Sequence, residues 1–477
     1  MYFSALALHG PPLVENWPAL PPAIVPLWRH RRAGDANPTQ GRVKGERPLR
    51  QDPPVRDQTR SIWQSAKQET VAARRRSRTT TRRVRHRFAK YSAGDWFGWL
   101  QCVWQFIRYA IEAGFPQYND WSQQQPPDLS YGVIEYRLPS VSKVLMIGDW
   151  GTHMTDNVAL LRQALKKFTP DTIIHLGDVY YSGTRQECME NVIEVLDELF
   201  AQLPIKRPPF FTLAGNHDYY SGGHGFYEMI GKVNTGLAGC EQKASYFCLR
   251  TADDRWQFLG MDTGYNDRNP ISHIWSDLVA SEVTWHCDKL DHFGGTTILL
   301  SHHQLYSAKE RLNRGARPWL NEDLHRTFEP YFDRVAAWFW GHEHNLIIFR
   351  DKLLVPGAAL PLRKGRLVGC SAYEATKADD PFAISPANKA AAFMDKMPRL
   401  KLSRYRGATQ RFYDHAFALL EISPQRIKVS YYEYPSWDQD HAPPDPDIAE
   451  PLFVETLEPI ERPRAAPHPD PSAAAAA

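Results

Sequence analysis

VSKVLMIGDWG, from Val141 to Gly151, decides the fold. Its apolar run, Val144 to Ile147, stops at Gly148 and Asp149, as a buried strand does when it ends in a polar turn. The same texture recurs four times downstream. DTIIHLGDVYY (Asp171 to Tyr181), PFFTLAGNHD (Pro209 to Asp218), TTILLSHH (Thr296 to His303) and VAAWFWGHEH (Val335 to His344) each run from apolar residues into Asp, Asn or His. Helical periodicity fills Asp156 to Phe168, Gln186 to Leu203 and the stretch near Ser281 to Leu290. SYFCLR, RWQFLGMD, NLIIFR and KLLVPGAA read as further strands, and HAFALLEI with RIKVSYYEY as a closing strand pair. This β–α alternation predicts an α/β protein whose sheets carry helices on their faces.

Around this region the chain changes character. Of 477 residues, 43% are hydrophobic, enough for a large core and too many for disorder throughout. Six cysteines without a CxxC exclude a disulfide scaffold, a zinc ribbon and a thioredoxin-type site, and favour a reducing compartment. No apolar run reaches membrane-spanning length, and the N-terminus has no basic segment ahead of its apolar one. A cytoplasmic location is therefore expected. The net charge of +3 conceals an asymmetry: 19 Lys/Arg and 5 Asp/Glu lie between Arg29 and Lys90, a net of +14. Residues 1–92 read as a disordered Pro- and Arg-rich leader able to touch nucleic acid or an anionic membrane. Residues 93–140 hold an amphipathic helix and a lead-in, with Trp96, Leu100, Val103, Trp104, Ile107 and Ile111 expected to pack on the main domain. Residues 141–440 form that domain, with 363–412 an insertion or loop, and 441–477 read as a disordered Pro- and Ala-rich tail.

Each polar strand end is by itself an ordinary turn. Five in order, each after a strand, point to one crevice at the carboxyl ends of a sheet, where open α/β folds bind ligands. The set offers carboxylate, imidazole, amide and phenol, but no thiolate. Such donors suit a metal of borderline hardness. They are too many for one ion and fit two ions about 3.5–4 Å apart that share a carboxylate.

These motifs resemble those of the calcineurin-like metallophosphoesterases, and within them the purple acid phosphatases of the tartrate-resistant type. The resemblance covers about residues 141–362 and the strands near 417–433. Most of that superfamily begins Asp-x-His; here Gly151 stands where the His would be, and Tyr181, three residues after Asp178, looks like the replacement. The resemblance implies a four-layer fold of two packed mixed β-sheets flanked by helices. It implies one metal on Asp149, Asp178, Tyr181 and His344, and a second on Asp178, Asn216, His302 and His342. Free tyrosine ionises near pH 10, so a tyrosinate ligand implies Fe(III) at the first site, with Fe(II), Zn(II) or Mn(II) at the second. It further implies hydrolysis of phosphate monoesters, on a small molecule or a protein, by direct attack of a metal-bound hydroxide, with His217 protonating the leaving group.

His303 faces either substrate or core. His224 lies on a Gly-rich stretch expected to be a turn or flexible loop. Asp218 is expected to orient a ligand, Glu343 to face away, and Asp262 to cap a strand end. A phosphodiesterase or nuclease on the same metal core is the second functional reading. A non-catalytic scaffold is the third, and would be marked by a missing ligand.

Overall fold

Alternation along β1 (Ser142–Ile147) lays down the layers: Val144 and Met146 point into one core, Leu145 and Ile147 into another. The computed structural model describes residues 96–112, 114–270, 276–307, 311–313, 315, 317–353, 361–372, 375–376, 398–404, 411–436 and 445–461. The expectations for the leader, and for the tail beyond residue 461, lie outside the described residues.

Helix α1 (Trp96–Glu112) precedes β1. Strands β1, β2 (Thr172–His175) and β3 (Phe210–Thr212) are parallel neighbours. They are linked by α2 (Thr155–Phe168) and by a short helix, Arg185–Cys188, that runs through a π-helical turn into α3 (Glu194–Gln202). After β3 come α4 (Asn216–Tyr219) and α5 (His224–Val233). The second sheet is built from β4 (Phe247–Arg250), β5 (Trp256–Gly260), β6 (Thr296–Ser301), β7 (Val335–Trp340), β8 (Leu346–Ile348) and β9 (Gly365–Val368). Its order is β4-β5-β6-β7-β9-β8, parallel from β5 to β9 and antiparallel at both edges. Helices α6 (Ala280–Asp291) and α7 (Glu322–Phe328) cover its outer face through Trp285, Leu290, Leu324 and Phe328.

The residues between β9 and the closing strands include a three-stranded sheet of β10 (Ala375–Thr376), β11 (Leu402–Arg404) and β12 (Arg411–Tyr413). The first sheet is completed by β13 (His415–Ile422), β14 (Ile427–Tyr434) and β15 (Phe453–Leu457), in the order β15-β14-β13-β1-β2-β3. Between the two large sheets lies an apolar layer to which β13 gives Ala416, Ala418 and Leu420, β6 gives Ile298 and Leu300, and β7 gives Ala337 and Phe339. On the far side of the first sheet, Leu160, Ala164 and Leu165 of α2 meet Phe417 and Leu419. The result is the expected four layers, helix–sheet–sheet–helix.

Several expectations are corrected. Gly365–Val368 is not part of an insertion but a buried strand paired with β7; four residues between two polar stretches are too few to show periodicity. Leu353 of KLLVPGAA makes only an isolated bridge to Leu362, and residues 354–360 lie outside the described residues. Phe453–Leu457 is an ordered edge strand, not disordered tail. Its anchor is a charge: Glu455 accepts from Arg366 Nε (2.7 Å) and Nη2 (2.6 Å) and from the Tyr431 hydroxyl (2.7 Å). Arg366 is fully buried. Burial opposes ionisation of Glu455, but the guanidinium outweighs it and lowers the carboxyl to about 2. Arg366 Nη2 also lies 2.7 Å from Asp351 Oδ1, so removing Glu455 leaves the buried guanidinium with one exposed carboxylate partner in place of two. Glu455→Ala is therefore expected to lower unfolding free energy by about 2 kcal/mol in denaturant titration, from the loss of its charged hydrogen bonds. A loss under about 0.5 kcal/mol, as for an ordinary surface substitution, would show that the pair does not hold the tail strand.

Candidate metal centre

The parallel strands of both sheets deliver their carboxyl ends to one crevice. Asp149 follows β1, Asp178 follows β2, Asn216 opens α4 after β3, His302 follows β6, and His342 and His344 follow β7. All are buried. Asp149, Asp178 and His342 adopt left-handed backbone (φ 58°, 73° and 71°), uncommon for residues with a Cβ and concentrated at functional sites. Close approach sets two glycines. A Cβ on Gly215 would lie 2.1 Å from Asp178 Oδ1. A Cβ on Gly151 would press on the backbone of Asp178 and Val179 at 3.0 Å, so a histidine where the usual motif has one would need that backbone to give way by a few tenths of an ångström.

One side of Asp178 gathers lone-pair atoms. Asn216 Oδ1 lies 3.2 Å from His302 Nε2 and 3.1 Å from His342 Nδ1, and these two nitrogens are 3.3 Å apart. Asp178 Oδ2 is 3.3 Å from His302 Nε2. The orientation of each is fixed from behind. His302 Nδ1 lies 2.8 Å from the Leu176 carbonyl, and Asn216 Nδ2 donates to the Tyr220 hydroxyl at 2.7 Å, which turns Oδ1 inward. Asp218, as expected of an orienting residue, accepts from the backbone N–H groups of Asp178 (3.0 Å) and Gly215 (2.8 Å). Burial and the Asp178 charge push its own carboxyl up to about 8.

The other side holds Asp149, His344 and a tyrosine, and here the sequence reading is corrected. The hydroxyl that reaches the cluster belongs to Tyr180. It lies 2.8 Å from His344 Nε2, 3.2 Å from Asp149 Oδ1 and 3.4 Å from Asp178 Oδ2. Tyr181 gives the site its backbone carbonyl instead, 2.5 Å from His217 Nδ1. Neighbouring side chains in a loop leave the backbone in different directions, and counting positions from Asp178 cannot tell which of two consecutive tyrosines turns inward.

The electrostatics suit a cation. Burial opposes a charge on His302, yet Asp178 and Asp149 pull its pKa up to about 9. Burial likewise opposes ionisation of Asp178, but His302 and His217 hold it well below the carboxylate range. Asp149, buried and facing Asp178, is pushed well above that range. One ionised carboxylate answered by a protonated imidazole, beside a second carboxyl that resists ionising, forms a set of oxygen and nitrogen donors whose protons a metal ion of borderline hardness would replace.

The remaining singled-out residues divide. The backbone N–H of His217 donates to Asp178 Oδ1 (3.0 Å), and its ring Nε2 lies 3.9 Å from Asp178 Oδ2. The His303 ring packs on His342 with centroids 4.4 Å apart, while its nitrogens lie 3.0 Å from Thr263 Oγ1 and 3.1 Å from Asp267 Oδ2. Glu343 faces away, toward Gln304 and Ser307. Asp262 accepts from the N–H groups of Gly264 (3.1 Å) and Tyr265 (3.0 Å), a strand-end turn. His224 opens α5 rather than sitting in a loop, and its Nδ1 lies 3.0 Å from Gln117 Oε1. His153 is exposed. Trp99, not singled out from sequence, lies over His217 with ring centroids 5.3 Å apart.

The tyrosine assignment has a direct check. Tyr180→Phe should weaken binding of added Mn(II) or Zn(II) at least about tenfold in calorimetric titration, whereas Tyr181→Phe should leave it within about threefold. The opposite ranking would return the role to Tyr181.

Comparison with known proteins agrees with the motif reading. The calcineurin-like phosphoesterase family model matches residues 142–346. Tartrate-resistant acid phosphatase type 5 from Sus scrofa is 22% identical over 327 residues, 61% of this chain and 84% of that protein. Among solved structures, purple acid phosphatase PPD1 from yellow lupin (Lupinus luteus) seeds shares 15% identity at a TM-score of 0.42, over 68% of this chain and 55% of the lupin chain. This chain thus spans little more than half the length of the lupin protein. PhoD shares 11% identity at a TM-score of 0.44, over 68% of this chain and 72% of its own. Residues 142–346, which carry the strand-end motifs Asp149, Asp178, Asn216, His302, His342 and His344, thus match the calcineurin-like phosphoesterase family model.

Proposed function

We propose that this chain hydrolyses phosphate monoesters, carried by a small molecule or a protein, with two metal ions held on either side of Asp178. The observation that carries the proposal is the pair of donor sets sharing that carboxylate: Asp149, Tyr180 and His344 on one side, Asn216, His302 and His342 on the other. Ions held by these residues would supply Lewis acidity, lowering the pKa of water and offsetting charge on the phosphoryl oxygens. Asp149 and an ionised Tyr180 favour ferric iron, while the neutral donors Asn216, His302 and His342 suit a divalent iron, zinc or manganese.

His217 is assigned the proton for the leaving oxygen. The Tyr181 carbonyl accepts a hydrogen bond from Nδ1–H, which leaves Nε2 to carry the acid proton on the side of Asp178. The rings of Trp99, Tyr180 and Tyr220 surround the imidazole at centroid distances of 5.3, 4.6 and 4.8 Å and hold its plane. Burial sets its pKa below the ordinary histidine value, with Asp178 opposing. A bound phosphate dianion adds negative charge and moves it back up. His303 is assigned a positioning role: bonded to Thr263 and Asp267, it braces the ring of His342.

The metal-loaded protein should turn over p-nitrophenyl phosphate at least about tenfold faster than bis(p-nitrophenyl) phosphate, compared as kcat/KM. A faster diester would assign the site to the diesterase and nuclease branch. His217→Ala should lower kcat by about 10²–10⁴-fold on an alkyl phosphate, and by much less on the aryl ester, whose leaving group needs little protonation. Equal losses on both esters would remove the acid role from His217.

A further inference from the structure

Among the described residues, exposed large apolar side chains concentrate on one segment. Leu100, Trp104 and Ile111 of α1 are 39%, 63% and 79% exposed, and Phe115 just beyond it is 87% exposed. At 100° per residue the three helical positions fall within about 40° of one another, a single stripe. This corrects the sequence expectation that Leu100, Trp104 and Ile111 would pack on the domain. The opposite face makes the contact instead: Trp99 on His217, Cys102 Sγ on the Tyr181 carbonyl at 3.2 Å, and Tyr109 beside His224 with centroids 5.6 Å apart. The helix is therefore anchored to the domain by one face while it presents Trp, Ile and Leu to solvent on the other. Scattered exposed apolar residues are ordinary, but a stripe containing a Trp marks an interaction surface.

Charge identifies the partner. Ala73 to Lys90 contains nine Lys/Arg and no Asp/Glu, and it ends six residues before α1 begins. A basic run leading into a helix with an outward Trp/Ile/Leu face is the composition that binds an anionic lipid surface. We propose that this segment docks the protein on an anionic membrane from the side, with Trp104, Ile111 and Phe115 entering the headgroup boundary and the basic run holding acidic headgroups. Nucleic acid would match the charge but leave the apolar stripe unpartnered. A second copy would bring two +14 leaders together. No helix among the described residues is long and apolar enough to cross a membrane, consistent with surface attachment by this route. The inference stands independently of the phosphoesterase reading.

Co-sedimentation of the full chain with vesicles tests it. The protein should pellet with vesicles of about 30% phosphatidylserine in phosphatidylcholine and much less with phosphatidylcholine alone, and about 0.5 M NaCl should weaken the binding. Trp104→Ser with Ile111→Ser should reduce binding to the anionic vesicles at least about tenfold, with the thermal midpoint and turnover of p-nitrophenyl phosphate unchanged. Absence of binding to anionic vesicles at about 0.1 M salt would overturn the proposal. So would equal binding by wild type and double variant. Preferential binding of DNA or RNA, indifferent to the double variant, would make the basic run a nucleic-acid arm instead.

Discussion

A carboxylate buried between two sheets must be answered by positive charge, and Asp178 is that carboxylate. It sits at a left-handed position after β2, with His302 3.3 Å and His217 3.9 Å from Oδ2. Its backbone is held by Asp218, and its Oδ1 accepts the His217 backbone N–H. Gly215 is required because any side chain there would occupy the space of Oδ1. Both donor sets are arranged around this one group, so what balances its charge decides what the site does. Imidazoles alone balance it only by protonating; cations balance it while leaving those nitrogens as ligands.

The fold serves this arrangement by bringing parallel strands from two sheets to a common edge. β1 to β3 supply two carboxylates and an amide, and β6 and β7 supply three imidazoles. The apolar layer between the sheets fixes their relative position, since Met146 and Ile174 from one share it with Leu300 and Phe339 from the other. Interiors at crystal-like density resist sliding. The strands β13 to β15 lie outside the matched segment 142–346, yet β13 pairs with β1 at the middle of the first sheet. They are part of what positions Asp149.

The sequence was legible where one strand end carries one polar cluster. Asp149, Asp178, Asn216, His302, His342 and His344 all lie within four residues of a strand's last residue, and the apolar run before each announces it. Legibility failed where local pattern does not encode direction. Tyr180 and Tyr181 are chemically identical neighbours, and only the loop's path selects between them. The helical period of α1 shows an apolar stripe, but not that Trp99 and Cys102 face the domain while Leu100 and Trp104 face solvent. β9 and β15 are short and flanked by polar or Pro-rich sequence. β15 is secured by Glu455 reaching Arg366, 89 residues away in the chain, a contact that no local window contains.

The proposed function requires two metal ions sharing Asp178. Crystals of the protein loaded with Mn(II) or Zn(II), with data collected at the metal absorption edge, would locate them directly. Two anomalous peaks about 3.5–4 Å apart are expected, one on each side of the Asp178 carboxylate, with the Tyr180 oxygen bound to the peak nearer Asp149 and His344. A single peak, or peaks that leave Asp178 bound to one ion only, would contradict the proposed function.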